Sequence, residues 1–218
     1  MLKNKKYSEE MLSSYSLDAS SEIVEAYNTL VNNIIHLPLA DNCKVIAVTS
    51  ATYGEGKTAI AINLAKALAN NLLDKKILLV DADFRNSKVS EFIGYSKDVN
   101  SNSLSSYLEG YVENPQFLHS LNSNLDYLFA GAVKNNPAGL VRSDKMVSAL
   151  NIFTQGYDYV IIDTPPINEF SDALFLADRV NGYIMAVRRK ISKISSIDFA
   201  TDRITNSGAE ILGFVYSE

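Results

Sequence analysis

The stretch KVIAVTSATYGEGKTAIAINLAKA, from Lys44 to Ala67, constrains the fold more than any other part of the chain. An apolar run ends in a turn that contains two glycines, and an amphipathic helical pattern follows directly. Gly54 and Gly56 allow consecutive backbone N–H groups to point inward, and a helix that begins near Lys57 adds the positive end of its dipole. This strand–turn–helix unit predicts a phosphate-binding loop.

The predicted loop indicates which residues contact a nucleotide. Lys57 is expected to be an exposed loop cation that reaches the β- and γ-phosphates, and the Thr58 hydroxyl is expected to ligate the magnesium ion that bridges them. The strict pattern has a glycine where this chain has Ala51, so the match is near and not literal. The expected ligands are ATP and Mg²⁺. The predicted cofactor-binding residues are Tyr53, Gly54, Glu55, Gly56, Lys57, Thr58, Ala59 and Arg85.

Two further motifs place carboxylates at the ends of predicted strands. KILLVDADFR puts Asp81, Asp83 and Arg85 beyond an aliphatic run, on one side of the chain if strand geometry persists. YVIIDTPP repeats the pattern at Asp163. Ligands of open α/β sheets bind at the carboxyl ends of strands, where one carboxylate can accept a proton and another can hold magnesium. A single aspartate there is often only a turn or helix cap, but three beside a phosphate-binding loop favour a site.

Aliphatic runs alternate with helical patterns along the rest of the chain. Near-continuous aliphatic runs are typical of strands that are buried on both faces of a parallel sheet. We therefore predict an α/β fold with a mostly parallel central β-sheet flanked by helices on both faces. The predicted strands are 44–49, 77–80, 125–129, 159–162, 183–187 and 211–215, and a first helix is predicted over 21–37.

Composition and charge limit the class of protein. The 218 residues, 47% apolar and 21% charged, fit one globular domain at 21–218, preceded by a polar arm at 1–20 that is expected to be mobile. A net charge of −5 argues against nucleic acid as the main partner. The single cysteine, Cys43, excludes an intrachain disulfide. No apolar run reaches the length of a membrane span, so a cytoplasmic protein is expected.

The motifs AVTSATYGEGKT, LLVDADFRNS and VIIDTPP together resemble the bacterial tyrosine kinases (BY-kinases) of capsular and exopolysaccharide biosynthesis, relatives of the MinD and ParA ATPases. The resemblance implies a P-loop NTPase fold and an ATP-dependent, autophosphorylating protein tyrosine kinase. It implies that Asp81 activates the tyrosine hydroxyl and that Thr58, Asp83 and Asp163 organise magnesium. With Lys57, the three aspartates are the catalytic residues that the resemblance predicts.

The same resemblance implies partners and a location. The expected partners are a membrane-bound polysaccharide chain-length regulator that activates the kinase, protein tyrosine substrates and, in a homo-oligomer, further copies of the chain. The regulator is expected to recruit the protein to the inner face of the cell membrane.

Some positions differ from the family pattern. Thr52 stands where MinD-like ATPases have a signature lysine, which favours the kinase branch. Asn28 and Val31 stand where the kinases have arginines that support their assembly. The kinases carry a terminal tyrosine cluster and an asparagine near the base, where this sequence has Tyr216 and Ser217. The alternative is therefore a nucleotide-dependent switch or scaffold ATPase in polysaccharide assembly, without tyrosine kinase activity.

Overall fold

The computed structural model describes residues 21–38, 43–95, 98–101, 103–115, 117–119, 124–133 and 136–218. The predicted arm at 1–20 lies outside these residues. Within the described part of the chain, no helix is both long and apolar enough to cross a membrane.

The centre of the described fold is a seven-stranded sheet with the order β3-β4-β2-β5-β1-β6-β7. All neighbouring strands are parallel except β3, which pairs antiparallel with β4. The strands are β1 (Lys44–Ser50), β2 (Ile77–Asp81), β3 (Leu118–His119), β4 (Leu125–Leu128), β5 (Tyr159–Asp163), β6 (Gly182–Arg188) and β7 (Ile211–Ser217). The mostly parallel α/β sheet is confirmed. β3 was not predicted, because a two-residue strand carries no pattern.

Helices cover both faces of this sheet. The helices are α1 (Ser21–Ile35), α2 (Lys57–Asn71), α3 (Val89–Phe92), α4 (Leu104–Leu108), α5 (Pro137–Arg142), α6 (Asp144–Gly156) and α7 (Ile194–Asn206), with a 3-10 helix at Ala173–Leu176. On one face, α1 and α2 pack over Ile46, Leu79 and Ile161. On the other face, α4 and α6 pack over Val80 and Ile162. Strands buried on both sides explain the uninterrupted aliphatic runs in the sequence.

The core gives a direct test of the fold. Leu79 lies in β2 and is fully buried, whereas Leu73 is 82% exposed. We expect Leu79→Ala to lower the free energy of unfolding by about 2 to 5 kcal/mol, because it removes packed methyl groups and leaves a cavity. Leu73→Ala, the matched control, should change it by about 0.5 kcal/mol or less. Urea denaturation measures both, and equal effects would contradict the arrangement of the sheet.

Candidate active site

The phosphate-binding loop connects β1 to α2, as the sequence predicts. Gly54 and Gly56 have φ angles of 84° and 90°, in the left-handed region that favours glycine. Gly56 immediately precedes the first residue of α2. Because the first N–H groups of a helix have no intrahelical partner, the first turn of α2 presents donors to an anion.

Glu55 stabilises this loop through a hydrogen bond inside it. Its side chain is buried, and its Oε2 accepts a hydrogen bond of 2.8 Å from the Thr52 N–H. A carboxylate turned into the loop repels a phosphate less than one that faces the cradle. Any contact of Glu55 with a nucleotide would therefore be made through its backbone.

Four predicted site residues meet where β1, β2 and β5 end. Lys57 Nζ lies 2.6 Å from Asp83 Oδ2 and 3.7 Å from Asp163 Oδ1. The Thr58 hydroxyl donates a hydrogen bond of 2.7 Å to Asp163 Oδ2. We call Lys57, Thr58, Asp83 and Asp163 the charge cluster. The cluster brings together side chains from three sequence motifs.

The expectation that Lys57 is an exposed loop cation is wrong. Its residue exposure is 6%, and the two carboxylates that it contacts are fully buried. Helix α2 begins at Lys57 itself, so the side chain points across the ends of the neighbouring strands and not into solvent. Lys57 therefore neutralises buried negative charge, in addition to any contact that it makes with phosphate.

Asp83 is fixed by the turn that it begins. Its Oδ1 accepts hydrogen bonds from the N–H groups of Arg85 and Asn86, at 3.1 and 2.9 Å. The other oxygen, Oδ2, remains directed at Lys57. Strand geometry does not persist beyond Asp81, where β2 ends, so alternation does not place Asp81, Asp83 and Arg85 together.

Asp81 lies at the end of β2 and is held by the following loop. Its Oδ1 accepts a hydrogen bond from the Asp83 N–H at 3.1 Å. Its Oδ2 accepts from the Ser87 hydroxyl at 2.7 Å and from the Val89 N–H at 3.3 Å. Sequence reasoning missed Ser87, which has no feature that separates it from other loop serines. The role of Asp81 as the group that activates an acceptor hydroxyl stays a prediction.

Burial and mutual repulsion shift the pKa values of these groups. Burial, and then the charge of Asp163, raise the pKa of Asp81 to about 7. Burial also raises the pKa of Asp163 to about 6, although Lys57 opposes the rise. For Lys57, burial acts to lower the pKa, but Asp163 and Asp83 outweigh it and the pKa is raised. Perturbed pKa values of this kind are frequent at functional sites.

The oxygen atoms of the cluster fit a magnesium ion. Asp163 Oδ1 is buried and has no hydrogen-bond partner within the described residues. It lies on the same carboxylate that contacts the Thr58 hydroxyl. Mg²⁺ prefers such oxygen ligands and usually binds through one or two carboxylates together with substrate phosphates and waters. In the described ranges, no group of three or more His, Cys, Asp or Glu side chains is arranged to hold a metal ion.

The Arg85 side chain pairs with a carboxylate outside the charge cluster. Its Nε and Nη2 donate to the two carboxylate oxygens of Asp172, at 2.6 and 3.0 Å. Its guanidinium also lies 4.0 Å from the centre of the Phe170 ring. These contacts join the loop after β2 to the loop after β5. The predicted contact of Arg85 with a nucleotide is not tested by this geometry and stays a prediction.

The sheet and this loop define a P-loop nucleotide-binding protein, and comparisons with known proteins agree. A family model described as an AAA domain matches residues 43–187. Tyrosine-protein kinase CpsD of Streptococcus agalactiae serotype III (strain NEM316) is 32% identical over 199 residues, which cover 89% of this chain and 82% of that protein. A putative tyrosine-protein kinase in the cps region of Klebsiella pneumoniae is 28% identical over 193 residues. Those residues cover 88% of this chain but only 26% of the Klebsiella protein.

Solved structures show the same relationship. The kinase domain of Escherichia coli tyrosine kinase ETK has a TM-score of 0.83 and 27% identity, with 94% of this chain and 79% of that chain covered. Apo McdA of Cyanthece, at 18% identity and a TM-score of 0.65, shares the fold. The chain belongs to the AAA-domain family of P-loop proteins and, within it, to the BY-kinases of capsular and exopolysaccharide biosynthesis.

The burial of Lys57 makes a prediction about stability. Lys57→Met leaves Asp83 and Asp163 buried without their cation, so we expect the free energy of unfolding to fall by about 3 to 5 kcal/mol. Adding Asp83→Asn to this variant should recover part of the loss, because it removes one uncompensated charge.

Urea denaturation of the single and double variants measures this coupling. Lys75→Met is the control, because Lys75 pairs with Asp158 at the surface and its loss should have a far smaller effect. A Lys57→Met protein as stable as the Lys75→Met protein would contradict the assigned charge cluster.

Proposed function

We propose that this chain is an ATP-dependent protein tyrosine kinase that autophosphorylates and regulates capsular or exopolysaccharide biosynthesis. The observation that supports this most is the charge cluster, in which a P-loop lysine and threonine contact Asp83, just after β2, and Asp163, at the end of β5, at 2.6 and 2.7 Å. The names of the relatives, tyrosine-protein kinases, supply the reaction class.

In this proposal the P-loop binds the phosphates of ATP. The backbone N–H groups from Gly54 to Ala59 donate to phosphate oxygens, and Lys57 stabilises the negative charge of the β- and γ-phosphates. Thr58, Asp83 and Asp163 are the residues that would hold Mg²⁺. When bound, the ion neutralises charge on the phosphates during transfer.

Asp81 is proposed to prepare the acceptor. The tyrosine O–H loses its proton to a carboxylate oxygen of Asp81, the phenol oxygen bonds to the γ-phosphorus, and the bond to the leaving ADP oxygen breaks. A carboxyl group with a pKa of about 7 is suited to accept that proton near neutral pH. The Ser87 hydroxyl, 2.7 Å from Asp81 Oδ2, holds the carboxylate in place.

A membrane-bound polysaccharide chain-length regulator is proposed as the activating partner. The proposal rests on the resemblance of the chain to capsular kinases, and one similar solved structure is a chimerical protein, CapA2B2, with a TM-score of 0.84. Such a partner would recruit the kinase to the inner face of the cell membrane. Protein tyrosines, including those of further copies in a homo-oligomer, are the proposed substrates.

Asp163→Asn tests the proposed site without unfolding the protein. An asparagine oxygen can still accept the hydrogen bond from Thr58, but the negative charge is lost. We expect phosphate transfer to a synthetic glutamate–tyrosine copolymer to fall by about a hundredfold or more. Because Asp83 stays in contact with Lys57 in this variant, the protein should still fold, and thermal denaturation checks this.

Asp158→Asn is the matched control for this assay. Asp158 lies just before β5 and pairs with Lys75 at the surface, so its substitution should leave transfer close to that of the wild type. Detection of phosphotyrosine with an antibody measures both variants. Full transfer by Asp163→Asn would show that Asp163 does not belong to the active site.

A further inference from the structure

Two aromatic side chains lie together at the rim of the active site. The rings of Tyr53 and Phe170 pack edge to face, with their centres 6.1 Å apart. Both residues are half-buried, so part of the pair remains open to solvent. Tyr53 belongs to the P-loop and Phe170 to the loop after β5, and we call them the aromatic pair.

Neighbouring contacts connect the aromatic pair to the charge cluster. The Tyr53 N–H donates a hydrogen bond of 3.0 Å to Glu169, the residue before Phe170. The Arg85 guanidinium lies 4.0 Å from the centre of the Phe170 ring. The backbone N–H of Arg85 donates to Asp83, the partner of Lys57. Burial raises the pKa of Tyr53, and the nearby charge of Asp83 adds to that rise. The pair is therefore close to the groups that are proposed to handle phosphate.

The aromatic pair contacts the loops that follow β2 and β5. Strands β2 and β5, whose ends carry the aspartates, lie on one side of β1, and β6 and β7 lie on the other. Arg188 of β6 donates to the Gly54 carbonyl at 3.3 Å. A Cβ atom placed on Gly56 would lie 3.9 Å from Ser217 Oγ, the position that the family resemblance associates with the base. Residues of β6 and β7 thus approach the two glycines of the P-loop, whereas the aromatic pair contacts the loops after β2 and β5.

We propose that Tyr53 and Phe170 form the subsite that receives the ring of the acceptor tyrosine. This inference rests on the proposed kinase function and specifies its substrate side. An aromatic ring gains edge or face contacts with such a pair. A serine or threonine side chain has no ring to make them. The subsite would therefore select tyrosine among protein hydroxyls.

Arg85 has a positioning role in this arrangement. Its bidentate contact with Asp172 fixes the guanidinium, which in turn lies over one face of Phe170. One side of Phe170 is thereby covered, and its packing partner Tyr53 belongs to the phosphate-binding loop. Arg85 thus fixes the Phe170 ring, and the Phe170 ring in turn orients Tyr53. In this role Arg85 does not contact the substrate itself.

The test separates acceptor binding from nucleotide binding. Phe170→Leu keeps an apolar side chain but removes the ring, and Phe170→Tyr restores a ring. With the glutamate–tyrosine copolymer as acceptor, we expect Phe170→Leu to raise KM for the copolymer roughly three- to tenfold, the range that one aromatic pair contributes. KM for ATP should change little, and Phe170→Tyr should restore most of the loss. Tyr53→Leu should also raise KM for the copolymer, and Tyr53→Phe, which keeps the ring, should not.

A control variant and three other outcomes distinguish an acceptor subsite from other roles of the aromatic pair. Phe199→Ala removes a ring of α7 that is 57% exposed and does not belong to the aromatic pair, and it should leave both KM values unchanged. An unchanged KM for the copolymer in Phe170→Leu would overturn the subsite. An equal rise in both KM values together with a lower melting temperature would also overturn it, because the pair would then have only a structural role. A rise in KM for ATP alone would overturn it too, because the pair would then stack on the base of the nucleotide. A wild-type protein that forms no phosphotyrosine would instead overturn the proposed function, and the subsite with it.

Discussion

The active site depends on one ammonium group among buried carboxylates. Asp81, Asp83 and Asp163 are all fully buried where neighbouring strands end, and Lys57 is the cation that contacts two of them. Carboxylates in such surroundings are stable in their charged form only when a cation and hydrogen bonds compensate for lost hydration. The glycine turn matters because it directs the first residue of α2 across these strand ends. The position of Lys57 therefore couples the P-loop to both aspartate motifs.

The order of the sheet brings these motifs together. β5 lies between β1 and β2, so the residues that follow the three strands meet at one edge. Lys57 contacts Asp83 across 26 positions of sequence, and Thr58 contacts Asp163 across 105. A second level of contacts, between Arg85 and Asp172 and between Tyr53 and Glu169, ties the surrounding loops to each other. These contacts fix the charged side chains and the loops that carry them before any ligand binds.

Local patterns allowed much of this structure to be predicted from the sequence. The six parallel strands appear as aliphatic runs, and the P-loop appears as a glycine turn followed by Lys57 and Thr58. The orientation of Lys57 could not be predicted, because it depends on which strands flank β1. The contact of Arg85 with Asp172 was also not predicted, since β2 ends at Asp81 and the chain then turns. Residue type and spacing do not specify such long-range pairs.

Phosphosite mapping by mass spectrometry, after incubation of the purified protein with magnesium and ATP, would show whether the charge cluster supports transfer of phosphate to tyrosine. The incubation should be done with and without the cytoplasmic tail of a candidate membrane regulator, because the kinase can require activation by such a partner. Our account predicts phosphotyrosine on this chain or on the tail, and none when magnesium is chelated. Conversion of ATP to ADP and free phosphate without phosphotyrosine under either condition would contradict a tyrosine kinase and favour a nucleotide-dependent switch.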